Sequence, residues 1–352
     1  MKKFSKNLFK IFGILIGFIA IYLLFMTLTD YRPKDIISLK IENNNEEIVQ
    51  KDLEISILSF NIGYCGMDKG RDFFMDGGKG SRSISEEKTL DNLFSITEFI
   101  KKANTSIVFL QEVDIDSTRS FHVDEYAYLT ENLSDYSSTF ALNFKVPWIP
   151  VPIHNPHGSV KSGLATYSTY KIEEANRYQY PGEYGWPKQL AMLDRCFVES
   201  RIKVDNDREL VLVNSHLSVF DDGGEIRKQQ LEFLKNYITK EYGKGNYIVV
   251  GGDWNHVIQG TDPYVFKCKQ KWPEWLMKIP KDFTPKGFIW ASDAKVPSNR
   301  TVDIPYEKGV NFLSVIDGFL VSPNIEVKSV KGYDLGFEYS DHNPTIMELI
   351  LK

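Results

Sequence analysis

Several apolar segments of this sequence end in polar side chains that are able to bind a metal ion or a phosphate. These side chains are Asn61, Glu112, Asn214, His216, Asp253, Asn255, Asp341 and His342. A strand that is buried on both faces is apolar along its whole length, so an abrupt change to a carboxylate, an amide or an imidazole places that group at the rim of a sheet. Several rims that lie side by side form a binding site on a rigid scaffold.

Each of these residues has a simpler interpretation when it is taken alone. Asn61 is able to cap a turn, and His216 is able to serve as a hydrogen-bonded structural histidine. The segments GGDWN at Asp253 and SDHNP at His342 are compatible with ordinary turns. Glu112 directly follows Val-Phe-Leu-Gln, and a buried carboxylate needs a partner. Five such strand ends in one chain favour a shared site over five unrelated turns.

The donor types indicate a hard cation and phosphoester chemistry. Oxygen donors without cysteine suit Mg²⁺, Mn²⁺ or Ca²⁺, and Mg²⁺ takes only one or two carboxylates, so Glu112 and one aspartate are sufficient. Two histidines near such an ion are suited to phosphate oxygens or to proton transfer. Together these groups indicate hydrolysis of a phosphoester. The sequence contains neither a P-loop nor a G-x-S-x-G segment, which disfavours nucleotide-driven chemistry and serine hydrolysis.

Strands and a few helices must position these groups. Apolar residues at helical spacing predict helices over residues 86–102 and 225–242. Continuous apolar runs predict strands over residues 53–60, 106–113, 210–220, 246–255, 314–322 and 344–351. Buried strands with few helices indicate a layered α/β fold in which helices cover the outer faces of the sheets.

The motifs, in this order, resemble those of the endonuclease/exonuclease/phosphatase family, also called the pancreatic deoxyribonuclease-like family. The matching segments are SFNIG at Asn61, LQEVD at Glu112, SGLATYS at Gly163, NSHLS at His216, GGDWN at Asp253, SVIDGFLVS at Asp317 and SDHNP at His342. The resemblance covers residues 53–352. It implies a four-layered αββα sandwich with two packed mixed β-sheets and a site at one end.

The resemblance also implies a divalent-metal site. Glu112 resembles the principal metal ligand of the family, Asn61 lies beside it, and Asp341 resembles a second acidic group near the metal. The expected cofactor is Mg²⁺, with Mn²⁺ or Ca²⁺ as alternatives.

Five further positions resemble the catalytic residues of the family. Asp253 resembles the carboxylate that orients or deprotonates the attacking water, and Asn255 resembles the amide that holds the phosphate. His342 resembles the histidine on the scissile phosphate, and Asp317 resembles the aspartate that orients it. His216 resembles the extra histidine of the deoxyribonuclease, sphingomyelinase and inositol-phosphate phosphatase branches, which the abasic-site endonuclease branch lacks.

Three other residues are candidates for substrate binding. Arg119 and Arg300 have guanidinium groups that are able to bind a phosphate through two donors, although a surface salt bridge explains either of them equally well. Trp148 lies at the centre of residues 144–156, FKVPWIPVPIHNP, where prolines exclude a regular helix or a central strand. This loop either packs over the core, or contacts lipid or a substrate groove.

Residues 11–28 are predicted to form a membrane-spanning helix. They contain no charged residue, they are apolar on all sides, and at ~1.5 Å per residue they reach about 27 Å, close to the thickness of a bilayer core. A cleaved signal peptide is the alternative, but its apolar region is usually shorter and ends in small residues. Lys2, Lys3, Lys6 and Lys10 precede the segment, which favours a cytoplasmic N-terminus and a catalytic domain outside the cell.

The predicted organisation is a cytoplasmic tail at residues 1–10, a transmembrane helix at 11–28, a linker at 29–50 and a catalytic domain at 51–352. The chain has a net charge of −5, and the part beyond the helix is more acidic because four lysines precede the helix. An acidic domain has no general attraction for nucleic acid, which disfavours a nucleic-acid partner without excluding one. The sequence makes no prediction about the oligomeric state.

We therefore expect a single-pass cell-membrane protein that is a divalent-metal-dependent phosphoric ester hydrolase. Its substrate would be a phosphodiester or a phosphomonoester, such as a lipid head group or a small phosphoester. An extracellular endonuclease or exonuclease with the same site is the alternative enzyme. A non-catalytic binding or scaffold protein is the alternative of another class, and the complete set of polar site residues disfavours it.

Overall fold

The computed structural model describes residues 2–352 of the chain. The α-helices in this part are α1 (Lys2–Leu28), α2 (Glu86–Ala103), α3 (Glu125–Asn132) and α4 (Glu225–Gly243). The strands are β1 (Ile36–Ser38), β2 (Ile41–Glu42), β3 (Ile55–Asn61), β4 (Ile107–Asp114), β5 (Ser137–Ile149), β6 (Gly158–Ser168), β7 (Glu174–Gln179), β8 (Cys196–Lys203), β9 (Glu209–His216), β10 (Tyr247–Asp253), β11 (His256–Val257), β12 (Met277–Lys278), β13 (Ile289–Ala291), β14 (Asn299–Arg300), β15 (Leu313–Ser314), β16 (Asp317–Val321), β17 (Ile325–Gly332) and β18 (Thr345–Leu351).

Two seven-stranded sheets form the body of the protein. The first sheet has the order β1-β7-β8-β9-β10-β16-β13, and the second has the order β17-β18-β3-β4-β6-β5-β2. Strands β9 and β10 are parallel in the first sheet, and β3 and β4 are parallel in the second, while the other neighbours are antiparallel. Both sheets are therefore mixed.

The two sheets pack face to face over one hydrophobic core, and helices cover their outer faces. Successive side chains of a strand point to opposite faces. Phe109 of β4 accordingly lies in the core between the sheets, whereas Leu110 packs under α2 with Ile96. In the first sheet, Val250 of β10 packs against Leu234 of α4. The predicted four-layered αββα sandwich is confirmed.

Helix α2 shows why the sequence forms a helix at this position. The side chain of Ser85 accepts a hydrogen bond from the backbone N–H of Lys88, which satisfies a free donor of the first turn. Two glutamates follow Ser85 in the first turn, where a negative charge interacts favourably with the helix dipole. The helix ends at Asn104, which adopts the left-handed conformation with φ of 49°.

The prediction for residues 144–156 was wrong in its first half, because β5 continues to Ile149 and contains Pro147. The pairing of β5 with β6 shifts register between Val146 and Ile149. On its other side, β5 is paired with β2 only at Thr139 and Ser138. Pro147 therefore lies at an irregular and unpaired edge, where a missing N–H costs no ladder hydrogen bond.

The segment expected to be a linker, residues 29–50, takes part in both sheets. Strand β1 pairs with β7 of the first sheet, and β2 pairs with β5 of the second. The isoleucines of this segment, Ile36, Ile37 and Ile41, suit edge strands. At the other end, helix α1 begins at Lys2 and includes most of the expected N-terminal tail.

Within the described residues, one helix is long and apolar enough to cross a membrane, and it comprises residues 6–28 of α1. Almost all of it is exposed, in contrast to a core helix of a soluble protein. A signal sequence near an N-terminus also meets this criterion of length and composition.

Candidate active site

The pairing of three strands brings Asp253, His216 and Asp317 together. Asp253 ends β10 and lies opposite His216, the last residue of β9, in the parallel pair. On its other side, Asp253 lies opposite Asp317, the first residue of β16. All three side chains are almost completely buried. The strand ends that the sequence marked as polar thus meet at one end of the first sheet.

Asn61 connects this group to Glu112 of the second sheet. Its Nδ2 donates to Asp253 Oδ2 at 3.1 Å and to Glu112 Oε1 at 3.3 Å. Its Oδ1 accepts from the backbone N–H of Gly63 at 3.0 Å, which holds the amide in this orientation. As a metal ligand, Asn61 would have to present Oδ1 instead. Two carboxylates from different sheets therefore converge on one amide nitrogen.

Glu112 has a strained backbone. Its φ is 56°, in the left-handed region that a glutamate rarely adopts. The pairing of β4 with β6 also shifts register between Leu110 and Val113, so Glu112 lies in an irregularity of the strand. Such a conformation costs on the order of 1–3 kcal/mol and is typical of functional sites. Because the ladder is interrupted, the carboxylate lies among the site residues and not within either face of the sheet.

His342 forms a buried pair with Asp317. Its Nδ1 lies 2.8 Å from Asp317 Oδ2, and its Nε2 lies 3.7 Å from Asp253 Oδ2. Burial alone lowers the pKa of His342, but the negative charges of Asp317 and Asp253 outweigh it and raise this pKa to about 10. The amide of Asn299 faces Nε2 at 3.1 Å. A protonated ring donates from both nitrogens, so it requires this amide to present its oxygen.

His216 has the opposite electrostatic environment. Its Nε2 lies 3.3 Å from Asp253 Oδ2, and its Nδ1 has no hydrogen-bond partner among the described residues. Burial, together with the positive charge of Arg195, holds the pKa of His216 well below its usual range. The two histidines beside Asp253 therefore differ in charge, one neutral and one cationic at neutral pH.

Asn255 lies directly beyond the end of β10. It adopts φ of 48°, which asparagine tolerates better than most residues. Its backbone N–H donates to Asp253 Oδ1 at 2.8 Å, and its Nδ2 donates to the carbonyl of Leu217 at 2.8 Å. The turn thus fixes both the Asp253 carboxylate and the Asn255 amide at the wall of the site.

The donor set fits a hard divalent cation at Glu112. This carboxylate has Asn61 as its hydrogen-bond partner, and burial raises its pKa while Arg119 opposes the increase. Asp341 is half-buried beside the same cavity. A second group, Asp253, Asp317 and His342, offers ligand atoms within 4.8 Å of one another. Glu112 fits better, because His342 is protonated beside Asp317 and Asp253, and a protonated imidazole has no lone pair for a metal.

The three predicted substrate-binding residues lie in different environments. Arg119 is buried, and it donates to both oxygens of Asp114 at 2.8 and 3.0 Å, so its salt bridge is internal and not at the surface. Arg300 is also buried and donates to the backbone carbonyls of Asp68 and Arg71. Both arginines line the cavity. Trp148 lies outside the cavity and is exposed.

Sequence reasoning missed Arg195. It directly precedes β8, its side chain is 8% exposed, and its Nη1 has no hydrogen-bond partner among the described residues. Glu112 and Asp253 are among the charges that act on it, and it lines the same cavity. A buried cation without a partner is costly unless a ligand neutralises it. A charged residue directly before an apolar strand, as in LDRCF, was the available signal.

The polar residues face a cavity of about 390 Å³ whose walls are mostly apolar. Glu112, Asp253 and His342 line it together with Asn255 and Asp341. The apolar part of the lining includes Met67, Phe74, Phe144, Ile149, Val151 and Leu193. The site thus combines a polar end, suited to a phosphate, with a volume suited to an apolar group.

Sequence and structure comparisons agree with this geometry. Residues 58–342 match the Endonuclease/Exonuclease/phosphatase family. An endonuclease/exonuclease/phosphatase from Beutenbergia cavernae DSM 12333 is 18% identical with a TM-score of 0.59, over 85% of this chain and 72% of that chain. A second, from Bacteroides vulgatus, is 18% identical with a TM-score of 0.53, over 85% and 100% of the two chains. TDP2 from D. rerio complexed with a single-strand DNA product is 16% identical with a TM-score of 0.51, over 85% and 99%. No curated protein matches the sequence.

The chain belongs to the endonuclease/exonuclease/phosphatase family, as its motifs predicted. Members of this family are metal-dependent phosphoester hydrolases, and the protein is an enzyme of this class. The prediction that the protein is a phosphoric ester hydrolase is confirmed for the enzyme class. The alternative of a non-catalytic scaffold is not supported by the family match.

Proposed function

We propose that the protein is a membrane-anchored phosphodiesterase or phosphomonoesterase that hydrolyses a phosphoester with an apolar substituent, such as a lipid head group. The observation that carries this proposal is the cavity, in which the carboxylates and histidines lie at the end of apolar walls. The apolar helix residues 6–28 support an anchored enzyme, with the catalytic domain outside the cell.

We assign the metal to Glu112 and Asp341, together with Asn61 if its amide turns to present Oδ1 in place of Nδ2. A Mg²⁺ ion bound there, or Mn²⁺ or Ca²⁺, would supply positive charge to the phosphate oxygens. The protein supplies the other donors. His342, His216 and Asn255 lie around Asp253 and are placed to contact a phosphate. Preorganised donors of this kind stabilise the charge that develops during phosphoryl transfer.

Asp253 acts on the attacking water in this proposal. Its Oδ2 lies within reach of Asn61 and both histidines, and burial raises its pKa, which strengthens it as a base. Oδ2 takes a proton from water as the water oxygen bonds to phosphorus. The bond from phosphorus to the leaving oxygen breaks, and this oxygen takes a proton from solvent. Asp317 keeps His342 oriented throughout.

Arg195 contributes the remaining phosphate contact. Its guanidinium is buried beside Glu112 and Asp253 without a partner at Nη1. A bound phosphate would provide the acceptor that the protein lacks.

The test is a substrate screen with the full-length chain in mixed micelles, with Mg²⁺ or Mn²⁺ and with a chelator. The panel contains bis-p-nitrophenyl phosphate, p-nitrophenyl phosphate, phospholipids, inositol phosphates, plasmid and single-stranded DNA. We expect chelator-sensitive hydrolysis of an amphiphilic phosphoester, which Asp253→Asn abolishes. Asp282→Asn is the matched control, because Asp282 is exposed and lies outside the cavity.

A nuclease is the second candidate, since a similar fold is found in TDP2 with a DNA product. Efficient cleavage of DNA together with no hydrolysis of lipid substrates would establish the nuclease and overturn the preferred proposal. The net charge of −5 and the apolar walls favour the lipid or small phosphoester.

A further inference from the structure

The last turns of helix α1 pack against the catalytic domain. Met26 is 2% exposed and lies in a cluster with Phe144 and Val146 of β5 and with Leu190. Tyr22 and Leu23 are partly buried against the same cluster, whereas the apolar residues from Leu8 to Ile21 are exposed. Only the end of the helix is therefore attached to the domain, and the rest remains available to a bilayer.

Two hydrogen bonds fix how far along the helix this attachment reaches. The hydroxyl of Tyr22 donates to the carbonyl of Trp148 at 3.0 Å, and the Nε1 of Trp186 donates to Thr27 Oγ1 at 3.2 Å. Tyr22 precedes the last helical residue, Leu28, by about 9 Å along the axis, at ~1.5 Å per residue. Trp148 therefore lies beside the apolar helix and not beyond its end.

Four exposed apolar side chains lie on the two segments that bond to the helix or directly follow β5, and we call them the apolar rim: Trp148, Val151, Ile153 and Trp186. Ile153 is 83% exposed and Trp186 is 59% exposed. Tryptophan is enriched at membrane interfaces, where its ring is apolar and its N–H is polar. The rim also adjoins the cavity, because Val151 is part of both.

We propose that the apolar rim inserts into the lipid interface of the bilayer that holds α1. A helix needs about 20 apolar residues to cross a bilayer core. Nearly all of residues 6–28 must therefore lie within the bilayer, including the turns that contact the domain. The rim is then held at the level of the lipid head groups. Ile149 and Val151 also line the cavity, so insertion of the rim would turn this side of the cavity toward the membrane surface. This inference rests on the membrane anchoring proposed above, and it does not depend on the proposed catalytic activity.

The experiment places one fluorophore on the rim and one on the opposite edge of the sandwich. In a Cys268→Ser background, where the remaining cysteines are buried, Ile153→Cys and Ile289→Cys are each labelled with an environment-sensitive dye. Ile289 is an exposed isoleucine on β13, the edge strand farthest from β1 in the first sheet. The full-length protein is reconstituted in phosphatidylcholine vesicles that contain a shallow lipid quencher.

We expect the dye at position 153 to be blue-shifted and quenched by lipid several-fold more than the dye at 289, and to be protected from aqueous iodide. Equal iodide accessibility at both positions would overturn the proposal. A second result would also overturn it: the dye at position 153 is protected from iodide but is not quenched by lipid, and this protection disappears when the protein is diluted into excess lipid. That result would indicate contact with a second copy of the chain.

A second measurement covers failure of the labelled variants to fold. Lipid quenching of intrinsic tryptophan fluorescence is compared between the wild type and the Trp148→Phe/Trp186→Phe variant. The proposal requires most of the quenching to disappear in this variant, since Trp254 is buried and the other three remaining tryptophans, Trp272, Trp275 and Trp290, are half-buried. Undiminished quenching would contradict it.

Discussion

Replacement of Arg195 by methionine is expected to lower activity and raise stability. Methionine keeps much of the side-chain volume and removes the charge. Burial lowers the pKa of Arg195, and the negative charges of Glu112 and Asp253 do not restore it, so the charged form destabilises the folded protein. Replacing buried charged groups by apolar residues of similar volume is often neutral or stabilises by about 1–4 kcal/mol. For a domain of this size a stabilisation in that range corresponds to a rise in Tm of about 2–8 °C.

The loss of activity follows from the contact that Arg195 would make with a phosphate. A hydrogen bond to a charged group contributes about 1.5–3 kcal/mol, which corresponds to a decrease in kcat/KM of roughly 10- to 150-fold. The measurements are chelator-sensitive hydrolysis of the best substrate from the screen and thermal unfolding in the same detergent.

Arg177→Met is the matched control. Arg177 is as deeply buried, and its Nη1 also has no hydrogen-bond partner among the described residues, but its Nε and Nη2 donate to the carbonyls of Leu142 and Asp194 and to Gln179 Oε1. This variant should lose stability and keep the activity of its folded fraction. If Arg195→Met instead lost stability as Arg177→Met does and kept its activity, Arg195 would be a structural residue. Our reasoning from its guanidinium, which donates to none of the described residues, would then be refuted.

Three other predictions concern the metal site, the histidine pair and the response to acid. Glu112→Gln should weaken Mg²⁺ or Mn²⁺ binding at least tenfold in calorimetry, since about 1.4 kcal/mol is lost with one charged ligand; unchanged affinity would remove Glu112 from the metal site. Asp317→Asn should reduce kcat by about 10²–10⁴, the usual contribution of a positioned proton-transfer group, with an unchanged circular dichroism spectrum; retained activity would show that His342 does not need its partner. Burial, Arg119 and other contacts lower the pKa of His157 to about 4, so the unfolded chain binds the proton more tightly, and stability should fall by up to about 3 kcal/mol as the pH drops from 6.5 to 4. His157→Gln should flatten this part of the curve of Tm against pH, and an unchanged slope would contradict the assignment.

The sequence was a good guide to strands that are buried on both faces. The run Ile107–Leu110 is apolar because alternate residues face two different cores, and the structure forms the first half of β4 there. The polar ends of these strands were also informative. Parallel pairing of β9 with β10 places His216 next to Asp253, and antiparallel pairing with β16 places Asp317 on its other side.

The sequence pattern could not predict contacts between segments that are far apart in the chain. The Asn61 amide forms a hydrogen bond across the two sheets with Asp253, which is 192 residues away in the sequence. The left-handed conformation of Glu112 depends on a register shift against β6 and has no local signal. Arg195 resembles a turn residue in the sequence, because burial without a partner is a property of the assembled cavity.

The irregular edge of β5 explains the wrong prediction for residues 144–156. The prolines were taken to exclude a central strand, and the whole segment was interpreted as a loop, but Pro147 lies in a strand at a place where β5 has no second neighbour. Likewise, the polar composition of residues 29–50 suggested a spacer, whereas three isoleucines were enough to form two short edge strands. Edge strands need only one partner and a few apolar residues, so their sequence signals are weak.

The short path from helix α1 to both sheets has a consequence for the reach of the enzyme. Strand β1 begins at Ile36, only a few residues after Leu28, and β2 follows at Ile41. Under the anchoring that we propose, no long flexible linker separates the helix from the catalytic domain, so the domain stays at the membrane surface. Encounters with substrate would then occur by two-dimensional diffusion, and turnover would scale with the surface density of substrate and not with its bulk concentration.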